Sequence, residues 1–387
     1  MRAKVKAIVS LLLPYPLMNY SLRQKHFSEQ LRRNRVEALL ITYLPNIFYL
    51  CGFSGSAGVL LFQGGQRSRA PRLTFFTDGR YTQQAREEVH GARVVIGKGP
   101  ALAEACDAVV KNGIRKLGFE SEHLPYIGYQ QIRHMLRSHG RAGAGIQLRP
   151  IPGSIEQLRL IKDSDEIAQI RAAVKLAAGL FPAALSSIRA GVPEASVAGE
   201  LELQARKAGA EGMSFDTIVA AGARSALPHG RASSQPIPHN GFIILDYGVI
   251  LAGYCSDMTR TVHVGAVSDS HRRMYEAVRA AQMASIAAVR PGVETGEVDR
   301  AGREILKKSR YDAYFTHSTG HGVGIEVHEL PRLAKGQNHQ LAPGMVVTIE
   351  PGIYIPNEGG VRIEDMVLVT ESGHEVLTPT TKDLITL

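Results

Sequence analysis

Apolar and polar positions along the chain change period several times, and each change marks an element. From Leu22 to about Val36 the spacing is helical and basic. "VEALLITY" then reads as a strand, and "NIFYLCGF" carries on from it into a glycine turn. "GVLLF" and "LTFFTD" are short apolar strands, "YTQQAREEV" is helical, "RVVIG" is extended and "LAEACDAVVKN" is helical again. Strands alternating with helices predict a small α/β domain over 20–150. The proline-containing stretch "LRPIPGS" (148–154) predicts its boundary. Long helical patterning follows in "SIEQLRLIKDSDEIAQIRAAVKLAAGLFPAAL", then a helix in "VAGELELQARKAG" closed by glycine. The texture then turns to strands: "FDTIVAAG", "FIILDYGV", "TRTVHVG", "MVVTIEPGIYI" and "VRIEDMVLVT". The helical runs "HRRMYEAVRAAQMASIAAVR" and "EVDRAGREILKK" lie between them. Residues 155–387 are therefore expected to form an α+β domain.

The first residues call for a separate reading. Arg2, Lys4 and Lys6 precede an apolar run from Ala7 to Leu13, a weak likeness to a signal peptide. The run is short, is followed by Pro14 and Pro16, and has no A-x-A cleavage site. It is far too short to span a bilayer. Residues 1–19 are read as an extension, with Met18 as an alternative start. No other segment looks transmembrane.

Composition adds little to this picture. The 387 residues are 44% hydrophobic and 21% charged, an ordinary globular balance with room for two or three cores. The net charge of +9 is spread over short clusters such as Arg32-Arg33-Asn34-Arg35. It is read as solvated surface rather than as a nucleic-acid or membrane face, since no aromatic-basic repeat accompanies it. Three widely spaced cysteines with no C-x-x-C pair fit buried thiols in a reducing compartment, hence the cytoplasm.

The chemistry is concentrated in five stretches. "HSTGHGVGIEVHELP" (317–331) sets three histidines among glycines. His317 and His321 are four apart, as two ligands on one helical turn would be. But Gly320, Gly322 and Gly324 each weaken a helix by roughly 1 kcal/mol relative to Ala, and H-E-x-x-H is absent. Spacing alone leaves the ligand among the three open. Asp246 ends the apolar strand "FIILD", and Asp257 follows eleven residues later, just before "MTRTVHV". A hairpin turning through Gly253 would bring both to one end. Glu350 ends "GMVVTIE". Glu364 is expected inside the strand "GGVRIEDMVLV", on the same face as Arg362. A carboxylate against a buried strand is costly unless paired or metal-bound. Four converging carboxylates would repel one another. Two divalent cations would relieve that repulsion, and oxygen-rich ligands with one imidazole suit Mn²⁺, Co²⁺ or Zn²⁺. Two such ions about 3.5–4 Å apart can activate water and polarise a carbonyl.

The order Asp, Asp, His, Glu, Glu, set in "ILDYGVILAGYCSDMTRT", "HSTGHGVGIEVHE", "TIEPGIY" and "GGVRIEDMVLVT", resembles the pita-bread dinuclear metallopeptidases: methionine aminopeptidase, aminopeptidase P and prolidase. "NIFYLCGFSGSAGVLLF" and "TFFTDGRYTQQA" resemble the N-terminal domain of the two-domain members. The resemblance implies that Asp246, Asp257, His321, Glu350 and Glu364 are the metal ligands, with Mn²⁺ the leading cation. By the same resemblance Glu350 doubles as general base. His328 and His229 contact substrate and steady the intermediate, His317 lines the substrate pocket, and Arg362 supports the site. His239, His263, His271, His339 and His374 have no such context and are read as structural. The two-domain plan implies peptide substrates with proline in second position and a homodimer or higher homo-oligomer. Aminopeptidase P is the leading reading, because "TDGRYTQQA" and "SALPHG" look closer to that branch. Prolidase, confined to dipeptides, is the alternative. A non-catalytic pita-bread binding module is the remote one. Creatinase, which shares the plan without metal, does not fit the intact ligand set. That set also argues against a mere scaffold, where uncompensated buried carboxylates would be costly.

Overall fold

The computed structural model describes residues 18–64 and 70–387, so the sequence readings on residues 1–17 lie outside the described residues. Two compact units divide at Arg159/Leu160.

The unit Met18–Arg159 is built on a mixed six-stranded sheet. Its central strand, Ala38–Ile41, pairs antiparallel with Val59–Gln63 and parallel with Lys116–Glu120. Arg72–Thr77 and Arg93–Ile96 extend one side and Gln147–Ile151 the other. All four residues of the central strand are buried, as expected of a strand covered on both faces. One face packs Leu40 and Leu61 against Val109 and Ile132 of the helices Ala101–Lys111 and Tyr126–Arg137. One expectation is corrected here. "NIFYLCGF" does not run on from the strand but lies in a helix, Leu44–Cys51. Pro45 sits in its first turn, where the missing N–H costs nothing, and Gly52 ends it at φ 85°. In a short apolar run these end signals outweigh the run's strand-like composition.

The unit Leu160–Leu387 combines four long helices with several small antiparallel sheets. The helix Ser164–Ser187 starts at a capping box between Asp163 and Glu166. By length and composition it could cross a membrane. Its apolar face instead packs Ala177, Phe181 and Ala184 in a core with Leu245, Tyr247 and Val262. Glu194–Lys207 shares that core, while Asp269–Ala288 and Thr295–Lys308 pack in others.

Three features of the sheets matter for the site. Gly241–Tyr247 and Met258–Val264 pair antiparallel with Asp246 opposite Thr259, so Asp257 stands one step before the paired region. The run "HSTGH" is not helical: it bends at His317 and Thr319 and enters Gly320–Gly322, a strand in a five-stranded sheet. A Cβ at Gly320 would lie 1.9 Å from the Thr348 carbonyl oxygen, so the neighbouring strand requires glycine there. The third feature is a correction. "VRIEDMVLV" is two strands, Gly359–Arg362 and Asp365–Val369, belonging to different sheets. Glu364 lies in the break between them. It is held by its own N–H to the Thr259 carbonyl at 3.1 Å and not by a ladder of its own strand.

Candidate active site

Strand ends and strand breaks supply the side chains. Asp246 comes from the end of one strand and Asp257 from the start of its partner. His321 comes from the middle of a three-residue strand, Glu350 from just past Val346–Ile349, and Glu364 from the break described above. Backbone links join them. The Glu350 N–H donates to the Thr319 carbonyl at 2.7 Å, and the His321 N–H to Thr348 Oγ1 at 3.1 Å. All nine predicted site residues, His229, Asp246, Asp257, His317, His321, His328, Glu350, Arg362 and Glu364, line one cleft of about 790 Å³.

The centre of the cleft is acidic. His321 Nε2 lies 3.5 Å from Glu350 Oε1 and 3.7 Å from Asp257 Oδ2. Asp257, His321 and Glu364 each offer an atom within 4.8 Å of the others'. Burial, followed by the charge of Glu364, pushes the Asp257 carboxyl well above the usual range. Burial and then Glu364 do the same to Glu350, and burial and then Asp246 raise Glu364 to about 8. Burial lowers the His321 imidazole to about 4, which keeps it neutral and a free electron-pair donor.

These residues fit divalent cations. Asp246 Oδ1 is buried with no hydrogen-bond partner. Glu364 has one hydroxyl donor, Thr259 Oγ1 at 2.7 Å, for a fully desolvated carboxylate. Such under-satisfied oxygens around a neutral imidazole attract metal and would be costly without it.

Around the centre lies a supporting layer. Arg362 donates to Asp246 Oδ2 at 2.5 Å, to the Pro228 carbonyl at 2.9 Å and to the Tyr354 hydroxyl at 2.6 Å. His317 Nε2 meets the same hydroxyl at 2.9 Å, and burial lowers its imidazole to about 4. The His328 ring stands edge-on to that of His321, centroids 4.5 Å apart. The sequence reading missed Tyr354, the hub joining His317 to Arg362. Its only signal is a place in the quoted stretch "EPGIYI". It also missed the cleft residues Phe215, Ile218 and Arg332, which no local motif marks. Among the histidines left aside, His263 and His271 pair with each other at 2.9 Å, outside the cleft.

A cleft that sets an acidic, imidazole-containing cluster beside further histidines and an arginine is equipped for metal-assisted hydrolysis. Comparison with known proteins agrees. The profile of Metallopeptidase family M24 matches residues 168–371, and that of the Creatinase/Prolidase N-terminal domain matches residues 23–161. The Xaa-Pro dipeptidase of Pyrococcus horikoshii is 36% identical over 361 residues, 93% of this chain and 98% of that protein. The structure of an Xaa-Pro dipeptidase from Bacillus anthracis is 40% identical with a TM-score of 0.89, covering 95% of this chain and all of the other. An X-Pro aminopeptidase from Thermotoga maritima is 33% identical with a TM-score of 0.82, covering 93% of this chain and all of the other. The chain belongs to metallopeptidase family M24, with the pita-bread catalytic domain following the creatinase/prolidase-type N-terminal domain. It is a metallopeptidase, of a family that works with divalent metal ions.

Proposed function

We propose that the protein is an Xaa-Pro dipeptidase, a cytoplasmic enzyme that hydrolyses dipeptides with proline in second position. One observation carries the reading: relatives of that name match at 36–40% identity over more than nine-tenths of this chain. This reverses the order of the two readings from sequence, which led with aminopeptidase P. The Thermotoga aminopeptidase keeps that second reading in play at lower identity. The three cysteines, all free and buried, suit a reducing compartment. We carry forward a homodimer or higher homo-oligomer.

Asp246, Asp257, His321, Glu350 and Glu364 would hold two divalent ions, with Mn²⁺ first and Co²⁺ or Zn²⁺ as alternatives. When bound, the ions supply a water of lowered pKa and a Lewis-acid contact for the scissile carbonyl. The chain's own groups do the rest. Glu350 accepts the proton of the attacking water on a carboxylate oxygen and returns it to the proline nitrogen as the peptide bond breaks. His328 and His229 donate hydrogen bonds to the carbonyl oxygen as it gains charge. Arg362 holds Asp246 in place and Thr259 holds Glu364. His317, steadied by Tyr354, lines the substrate side.

The test is hydrolysis of one Xaa-Pro dipeptide and of the same sequence extended by several residues, with Mn²⁺, Co²⁺ and Zn²⁺ in parallel. Cleavage of the dipeptide alone is the expected result. Cleavage of the first bond of the long peptide would return the assignment to aminopeptidase P.

A further inference from the structure

The residues just before His321 are gripped from outside the cleft. Asp299 and Arg303 sit one turn apart on the helix Thr295–Lys308 and form an ion pair, Nε to Oδ2 at 2.7 Å. The Asp299 side chain is 1% exposed. Its other oxygen, Oδ1, accepts the Thr319 hydroxyl at 2.9 Å. Arg303 also donates to the main-chain carbonyls of Phe315 at 3.1 Å and His317 at 2.6 Å, and its guanidinium lies 4.1 Å over the Phe315 ring. Thr319 is fully buried and passes the constraint on: its carbonyl accepts the Glu350 N–H at 2.7 Å. Two residues later comes His321.

We propose that Asp299, Arg303 and Thr319 form a brace that sets where His317, His321 and Glu350 stand in the cleft, making them positioning residues for metal binding and turnover. A buried carboxylate oxygen left without a partner is costly. Here one partner belongs to the site segment and the other holds that segment's carbonyls. The helix is a rigid support, since Val298 and Leu306 on it are fully buried in two separate cores. The brace adds three hydrogen bonds to the packing of the Phe315 ring in the core it shares with Leu306. The ligand atom of His321 and the carboxylate of Glu350 must meet a cation to within a few tenths of an ångström, so loosening 315–319, which leads into His321 and accepts the Glu350 N–H at Thr319, is felt directly.

The inference rests on the metal-ligand assignment proposed above, and the experiment separates the two. Mn²⁺ binding to the metal-free protein is measured by calorimetry, and kcat on an Xaa-Pro dipeptide is measured alongside. The variants are Thr319→Val, Asp299→Ala, the conservative Thr319→Ser, and Leu201→Ala, a cavity variant in a core remote from the brace. Thr319→Val and Asp299→Ala are expected to weaken Mn²⁺ binding and lower kcat by about 10–100-fold, with Thr319→Ser within about threefold of the parent. Leu201→Ala lowers the melting temperature with little change in either. Parental Mn²⁺ affinity in Thr319→Val and Asp299→Ala would overturn the brace. So would a Thr319→Ser variant as impaired as Thr319→Val, or an equal loss in Leu201→Ala. A parent protein that binds no Mn²⁺ would instead overturn the ligand assignment.

Discussion

Glu120, in the N-terminal unit, and the cluster of Asp246, Asp257, Glu350 and Glu364, in the C-terminal unit, are all carboxylates taken out of water, and they are treated in opposite ways. Glu120 is surrounded by donors: the N–H groups of Thr42 and Tyr43 at 2.7 and 2.9 Å on one oxygen, and the Asn46 amide at 2.8 Å on the other. Burial raises it, but three hydrogen bonds pull back. In the cluster Arg362 pulls the other way, but after burial other carboxylates are the leading cause that raises Asp257, Glu350 and Glu364. The same contrast recurs within two residues. Asp365, next to Glu364, faces Arg260 at 2.7 Å, Gln282 at 2.8 Å and Lys382 at 2.5 Å. Burial of an acid therefore does not mark a site. What marks one is burial in which the partners are of the same sign and lone pairs are left over.

The comparison can be broken in several ways. Removing a carboxylate from the cluster has the largest effect. Glu364→Ala should reduce hydrolysis to background and lose bound metal, read by elemental analysis. At pH 8, without metal, it should nevertheless melt above the metal-free parent, because one repelling charge is gone. Glu350→Gln keeps the shape and an oxygen ligand but cannot take a proton. It should lower kcat by about 10²–10⁴-fold with metal still bound, and near-normal turnover would sink the general-base role. Glu120→Ala should do the reverse of both. Stranding three donors costs about 3 kcal/mol of stability, read by denaturant titration, with kcat unchanged.

The smallest effect is one of pH. Glu364 holds its proton up to about pH 8 in the folded metal-free protein but releases it near its ordinary value when unfolded. Between those values the folded state binds more protons. Below about pH 6.5 the lowered His317 and His321 act in the opposite sense, so it is from about pH 6.5 to 8 that stability of the metal-free protein falls as pH rises. A melting temperature lower by a few degrees at pH 8 than at pH 6.5 in chelator, and a smaller difference with Mn²⁺, is the expected result. A flat profile in chelator would mean that the carboxylates are neutralised by something other than protons or metal.

Much was legible in the sequence because it is local. Strand and helix periodicity outlined both units, and the glycines of "HSTGHG" weighed against a helix where the structure has a strand. The five ligand-type residues could be picked out because each sits in a short motif whose order along the chain is distinctive. The helix at "NIFYLCGF" had local end signals in Pro45 and Gly52 that its apolar composition masked. Two things were not legible, for one reason: whether "VRIEDMVLV" is one strand or two, and what surrounds each acid, depend on residues distant in sequence. Asp246 meets Arg362 across 116 positions, and Thr319 meets Asp299 across 20. Periodicity reports which face of an element is buried. It does not report what waits there, a donor as for Glu120 and Asp365 or a second carboxylate as for Glu364. That pairing determines whether a buried charge is structural or available to a cation, and it exists only once the sheets have met.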